Sequence, residues 1–220
     1  MASRTLAQIL QNVNSYVALD NSVPTGTDVT VWSDYANLAV LKAAAKMPWP
    51  QFNKSDVVGT SGGPTYATLA SISLPANFRE FSTAPQVDIG SGTFSDYVQI
   101  NPIERYQKQP GDQYCYVLGN PSEGFTAVFN ALAANATLYM DYQRFPSGFA
   151  TLTDTCELDD DTYVVEQVKS YVLQARSDDR FPVVEDKAVQ ILEDMQGRQD
   201  RNPQGGINKT PHIEKYRIGE

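Results

Sequence analysis

The chain has 220 residues, 41% of them hydrophobic, with 12 Tyr and 9 Phe; it is long enough to bury a core without staples and too apolar to stay disordered. Its net charge of −9, from 17 basic and 26 acidic residues, argues against a protein that grips phosphates for affinity. No run approaches the ~18 apolar residues of a membrane helix, and Met1 to Leu10 carries one basic residue and no long apolar stretch, unlike a secretory signal.

In chain order, residues 5–19 read as an amphipathic helix. Leu6, Leu10, Val13 and Val17 share a stripe with Ile9 beside it, and Ser3 or Thr5 stands ready to cap it. After the break at Pro24 to Thr27 a second helix is expected over 29–46, with Val31, Tyr35, Leu38 and Lys42 along one side; Pro48 and Pro50 end it.

Residues 54–64 read as a loop, and Tyr66 to Leu74 as a strand stopped by Pro75. Leu74 to Glu80 reads as that strand's end followed by a helical turn, and 88–92 as a further turn. Tyr97 to Ile100, Tyr114 to Leu118 and Phe125 to Phe129 are strand signals. Leu138, Met140 and Tyr142 alternate with Tyr139, Asp141 and Gln143, the period-2 pattern of a half-buried strand. Short spacings between these runs point to antiparallel hairpins.

Helices return at 160–175, with Val164, Val168, Tyr171 and Val172 on one face, and at 182–196, with Val184, Ala188, Ile191, Leu192 and Met195 on one face. Pro182 suits a first helical position and Gly197 a helix stop. From 198 to 220 apolar periodicity is gone. The expectation is therefore α+β: a helical bundle assembled from both chain ends, a small antiparallel β-sheet region, and an extended C-terminal tail. The domain spans 1–197 with a β-rich insert at 64–146, and the tail spans 198–220.

Residues able to run a reaction are scarce. The single histidine, His212, stands in the tail, far in sequence from supporting structure. Cys115 and Cys156 lack C-x-x-C spacing and read as buried small hydrophobes. Gly59 to Pro64 lacks the Gly-Lys-Ser/Thr ending of a phosphate loop. Asp159, Asp160 and Asp161, with Asp154 and Glu157, are the densest acids. They match no EF-hand spacing and precede a helix, where carboxylates cap free amides. Tyr114, Tyr116, Phe125, Phe129, Tyr139 and Tyr142 read as sheet core, not as a stacking platform for single strands, because Arg144 is the one cation close to them. No catalytic, metal or cofactor-binding residue is assigned, and no cofactor is expected.

Four stretches carry a family likeness. They are Trp32-Ser33-Asp34-Tyr35 to Ala45 in the N-terminal helix pair; Leu74-Pro75-Ala76-Asn77-Phe78-Arg79-Glu80; the strand series Tyr114 to Asn120 and Leu138 to Pro146; and the closing helix pair Asp159 to Met195. In this order they resemble the head–tail connector (adaptor, or neck) proteins of tailed bacteriophages. The chain departs from the pattern at Gln143 and Arg144, where a second Tyr is common, and in the long 54–64 loop.

The resemblance implies a structural virion protein without enzymatic activity, made in the host cytoplasm and built into the phage neck. It would form a ring, commonly of twelve copies, between the portal of the head and the tail or nozzle proteins, with no membrane. Genome DNA would pass through its channel without tight binding, past a wall carrying roughly −108 charges for twelve copies of −9. The tail would clamp the portal or a neighbouring subunit through Ile207, His212, Ile213, Tyr216, Arg217 and Ile218. A polar segment with spaced apolar anchors orders when a partner supplies buried surface. The alternatives are another phage part, such as a tail terminator or head decoration, and a metal-dependent hydrolase using the acids from Asp154 to Asp161.

Overall fold

Thr5 starts the first helix with a reciprocal cap, its hydroxyl accepting from Gln8 N at 3.4 Å while Gln8 Oε1 accepts from Thr5 N at 2.9 Å. The computed structural model describes residues 3–59, 70–88, 94–109, 111–130 and 137–201. Helix α1 (Leu6–Val17) buries Leu6, Ile9, Leu10 and Val13, as its stripe predicts.

Helix α3 (Thr162–Ala175) is the hub of the helical part. Helices α1, α2 (Thr27–Lys46) and α4 (Phe181–Arg201) all pack on it. That is why its burial goes beyond the expected stripe to include Tyr163, Val165, Glu166, Gln167, Ser170 and Leu173. Both α2 and α4 run antiparallel to α3. Asp28 lies by Arg176 and Lys42 by Gln167 along α2, while Lys187 meets Glu166 and Arg198 meets Asp160 along α4.

Two helix expectations need correction. On α2 the buried residues are Trp32, Ala36, Ala39, Val40, Ala43 and Ala44, whereas Val31 and Leu38 face solvent. Alanine lets two helix backbones approach closely, so the small residues took the inner side and the larger ones were left outside. Helix α4 runs through Gly197 to Arg201; Arg198 to Asp160 (2.7 Å) and Gln199 to Asp159 (3.3 Å) hold the turn where a stop was expected.

The β region is larger than the single small antiparallel sheet expected. It forms two sheets with nine strands among the described residues. The first contains β1 (Asn53–Gly59), β3 (Phe78–Phe81), β4 (Gln86–Asp88), β5 (Phe94–Asp96) and β9 (Thr137–Arg144), with β9 at its centre: β1 lies along one side and β3 and β4 along the other. The second has the order β2 (Ala70–Ser73), β8 (Gly124–Phe129), β7 (Tyr114–Asn120), β6 (Val98–Gln99), and the β6–β7 pair is parallel. Between the sheets lie Ile72, Phe78, Val87, Tyr97, Cys115, Phe129, Leu138, Met140 and Tyr142.

Strand β1 occupies most of the expected 54–64 loop. Its Lys54, Ser55 and Asp56 are exposed, so no apolar alternation marks it; pairing with β9 from Asn53↔Gln143 to Gly59↔Thr137 makes it a strand. The helical turn expected after Pro75 is a plain turn leading into β3. The turn expected at 88–92 begins inside β4 at Asp88 and otherwise falls outside the described residues, as do 60–69, which include the rest of the glycine-rich stretch, and the expected extended tail from 202 onward. No helix among the described residues is long and apolar enough to cross a membrane.

Candidate functional site

The acidic cluster is the first place to look for chemistry, and each of its carboxylates is held by the protein itself. Asp154 closes the turn before it, accepting from Ala150 N and Thr151 N at 2.7 Å each and from the Thr151 hydroxyl at 2.8 Å. These bonds from Thr151 and Ala150 hold its carboxyl below the usual range. Glu157 takes a bidentate pair from Arg144 at 3.0 and 3.3 Å and a third bond from Ser147 N.

Asp159 accepts from Gln199. Asp161 accepts from Arg4 N (2.5 Å) and Arg4 Nη1 (2.6 Å), tying the N-terminus to the start of α3. The capping expected of these acids falls to Asp160, which receives Thr162 N at 3.2 Å as well as Arg198. Asp161 stands at the cap position without a side-chain cap bond. Among the described residues no group of three or more His, Cys, Asp or Glu side chains is arranged to hold a metal ion.

Cys115 and Cys156 are buried in different clusters, one between the sheets and one in the helical core. Burial pushes the Cys115 thiol up to about 12 and the Cys156 thiol up to about 11, so neither is a nucleophile near neutrality. Of the six aromatics expected in the sheet core, Tyr116, Phe129 and Tyr142 are buried and Tyr114 and Phe125 partly so. Tyr139 instead faces outward, edge-on to the exposed Phe94 with ring centroids 5.5 Å apart. The period-2 pattern of β9 assigns its even positions to the core, and Tyr139 is odd.

The expected contact residues Ile207, His212, Ile213, Tyr216, Arg217 and Ile218 lie outside the described residues.

Two surfaces stand out instead. The first is the outer side of α2, where Val31, Leu38 and Leu41 are 37%, 50% and 47% exposed. An open cleft of about 450 Å³ runs beside it, lined by residues that include Thr30, Asp34, Asn37, Phe149 and Leu152. Asn37 fixes the cleft wall by exchanging two bonds with Phe149, receiving its N–H at 2.6 Å and donating to its carbonyl at 3.1 Å.

The second surface lies on the outer side of the second sheet, at the 3-10 helix Pro102–Gln107. Its Ile103 and Tyr106 are 71% and 77% exposed, and Val98 on β6 and Leu118 on β7 are also exposed. Arg105 anchors this helix. It donates to the buried Tyr116 hydroxyl at 3.1 Å and to Tyr106 at 2.6 Å, and its guanidinium sits 4.7 Å from the Tyr106 ring centre.

The outer side of α2 was legible in part: the stripe Val31, Tyr35, Leu38 and Lys42 marks one side of the helix, of which Val31 and Leu38 are exposed while Tyr35 packs partly against the helical core. The Ile103 and Tyr106 surface gave no periodic signal, because a six-residue 3-10 turn is too short to show one. No protein-family model matches the chain, and no curated protein matches it.

Proposed function

We propose that this chain is a structural subunit of a tailed-phage connector, a ring that joins the portal of the head to the tail and continues the DNA channel. The observation that carries the reading is the pair of unlike exposed apolar surfaces, one on α2 around Leu38 and Leu41 and one on the second sheet around Ile103 and Tyr106. Apolar side chains gathered on an exposed face mark interaction sites. Two different faces on one chain suit head-to-tail contacts that close into a ring, and a two-fold dimer would use a single face twice. The order of the four sequence stretches supports the same reading, and the net charge of −9 suits a channel past which DNA slides without sticking.

Co-sedimentation with rings of the cognate portal protein tests it. The parent chain pellets with the portal, and Tyr106→Glu or Leu38→Glu, each at an exposed site, lowers the number of copies bound per ring. Absence of the parent chain from the pellet rejects the proposal.

A further inference from the structure

Helix α2 is apolar on two sides. Its inner side is built of Trp32, Val40 and four alanines, and its outer side carries Val31, Leu38, Leu41 and Ala45 around the exposed Asp34. At 100° per residue these five outer positions fall within an arc of about 80°, and they run about 21 Å along the helix. A helix at the surface of a finished structure turns charged residues outward; this one turns its leucines outward. Asp34 is the single charged residue within the arc, and its carboxylate has no hydrogen-bond or ion-pair partner among the described residues. Lys42, about 20° beyond the arc, is already answered by Glu185.

The outer side of the second sheet carries the opposite charge on a similar apolar face. A 3-10 helix repeats every three residues, so Ile103 and Tyr106 stand on one edge of Pro102–Gln107. Val98 and Leu118 extend this face over β6 and β7. The Arg105 guanidinium lies 4.7 Å from the Tyr106 ring centre, at the apolar edge itself. It donates to two phenol hydroxyls, those of Tyr116 and Tyr106, and to no carboxylate among the described residues. Glu104 is turned back to the start of the helix, where it accepts from Asn101 N at 3.3 Å. One face is thus apolar with an unanswered acid, and the other is apolar with an unanswered cation.

Both faces are exposed in the same chain, so neither covers the other within it. Pairing of α2 with α2 across a two-fold axis leaves both acids without an opposite charge, and pairing of the sheet face with itself does the same for both cations. Only the α2 face of one copy on the sheet face of another satisfies apolar surface and charge together.

We infer that the second copy is the occupant of each face: Leu38 and Leu41 of one chain seat on Ile103 and Tyr106 of the next, with Asp34 set against Arg105. The inference rests on the connector reading for closure of the ring, and it names what each face meets there. The ion pair fixes register and orientation more than affinity. Each patch, four part-exposed side chains, is on the order of a few hundred Å², below the ~800 Å² per partner of a stable interface. A single contact is therefore weak. A copy held on one side makes its second contact at raised effective concentration, so the closed ring is firm where the pair is fleeting.

Two full-length variants, one carrying Leu38→Cys and the other Ile103→Cys, are mixed at micromolar concentration under mild oxidation. A fused tag on one lets a non-reducing gel separate mixed from self-linked products. The native Cys115 and Cys156, 0% and 4% exposed, stay out of the reaction. The mixed disulfide should form roughly ten-fold faster than in a control pairing Leu38→Cys with Gln190→Cys on the exposed side of α4, the enrichment that about 1.4 kcal/mol of mutual attraction gives. Leu41→Cys in place of Leu38→Cys should behave alike. Control-level rates at both positions, or Leu38→Cys linking to itself faster than to Ile103→Cys, overturn the inference.

A second arm adds Asp34→Lys to the Leu38→Cys chain. The ratio to the control should fall several-fold, and Asp34→Glu should keep it; a ratio unmoved by Asp34→Lys overturns the pairing with Arg105. Neither arm contains a portal. A chain that pellets with portal rings yet gives no link between positions 38 and 103 leaves the connector reading standing and sinks this pairing alone.

Discussion

Glu185 on α4 receives Lys42 from α2 at 3.2 Å, and this salt bridge joins two helices that otherwise meet through α3. The same carboxylate takes the Ser170 hydroxyl at 2.5 Å and the Gln167 amide at 2.7 Å, so one acid ties three helices together. Burial alone would push Glu185 up; the donors Ser170, Gln167 and Lys42 outweigh it and hold the group below the usual carboxylate range.

A carboxyl depressed in the folded state stabilises above its unfolded value of about 4.3, and that stabilisation is lost as pH falls through the folded value. Glu185→Gln is therefore expected to destabilise by about 1–3 kcal/mol at neutral pH. Calorimetric melting from neutral pH down to about pH 3 should show its deficit against the parent shrinking with acid. A deficit constant across that range contradicts the assignment.

Gly119 and Gly124 form the close of the β7–β8 hairpin with φ of +106° and +87°. A Cβ on Gly119 would land on the Gly124 carbonyl oxygen, so position 119 is closed to side chains on both backbone and steric grounds. Gly119→Ala should cost at least about 1–3 kcal/mol, lowering Tm by roughly 3–10 °C for a chain of this size. Circular-dichroism melting measures it.

The pairing of Arg4 with Asp161 gives a structural role to an acid of the cluster that the hydrolase alternative would use. Asp161→Ala removes two short bonds from a side chain 13% exposed, with an expected loss of about 1–3 kcal/mol in urea denaturation. Calorimetric titration of the parent with Mg²⁺ or Ca²⁺ should give no stoichiometric binding, since Asp159, Asp160 and Asp161 are each engaged by protein donors. Tight binding abolished by Asp160→Asn would instead support the hydrolase alternative.

Both thiols are raised by burial, Cys115 to about 12 and Cys156 to about 11. In native protein at pH 8 iodoacetamide should label neither, and in denaturant both. Labelling in the folded state would show that one of the two clusters opens.

Three of the four helices were legible because their apolar residues are both large and periodic: Leu6, Ile9, Leu10 and Val13 on α1, Val164, Val168 and Val172 on α3, and Val184, Ala188, Leu192 and Met195 on α4. On α2 the large residues point the wrong way for a rule that weighs size, because close packing on α3 selects alanine. Strand β1 was hidden by exposed Lys54, Ser55 and Asp56, whose strand character comes from β9 and not from local propensity. In Phe78-Arg79-Glu80-Phe81 the β-branched residues that flag a strand are missing. The division into two sheets was illegible because pairing is set by long-range contacts: β9 alone joins a strand as much as 90 residues earlier, at Asn53↔Gln143. The carboxylates of the acidic cluster could be read as structural from their place before a helix, yet their actual partners, Arg4, Arg144 and Arg198, are distant in sequence or lie on another element.

Electron microscopy of the purified chain mixed with cognate portal rings tests the central claim most directly. A cyclic layer of this chain beneath the portal, with an open axial channel and the α2 surface of each copy facing its neighbour, is the predicted image. Bare portal rings beside free single subunits would contradict it.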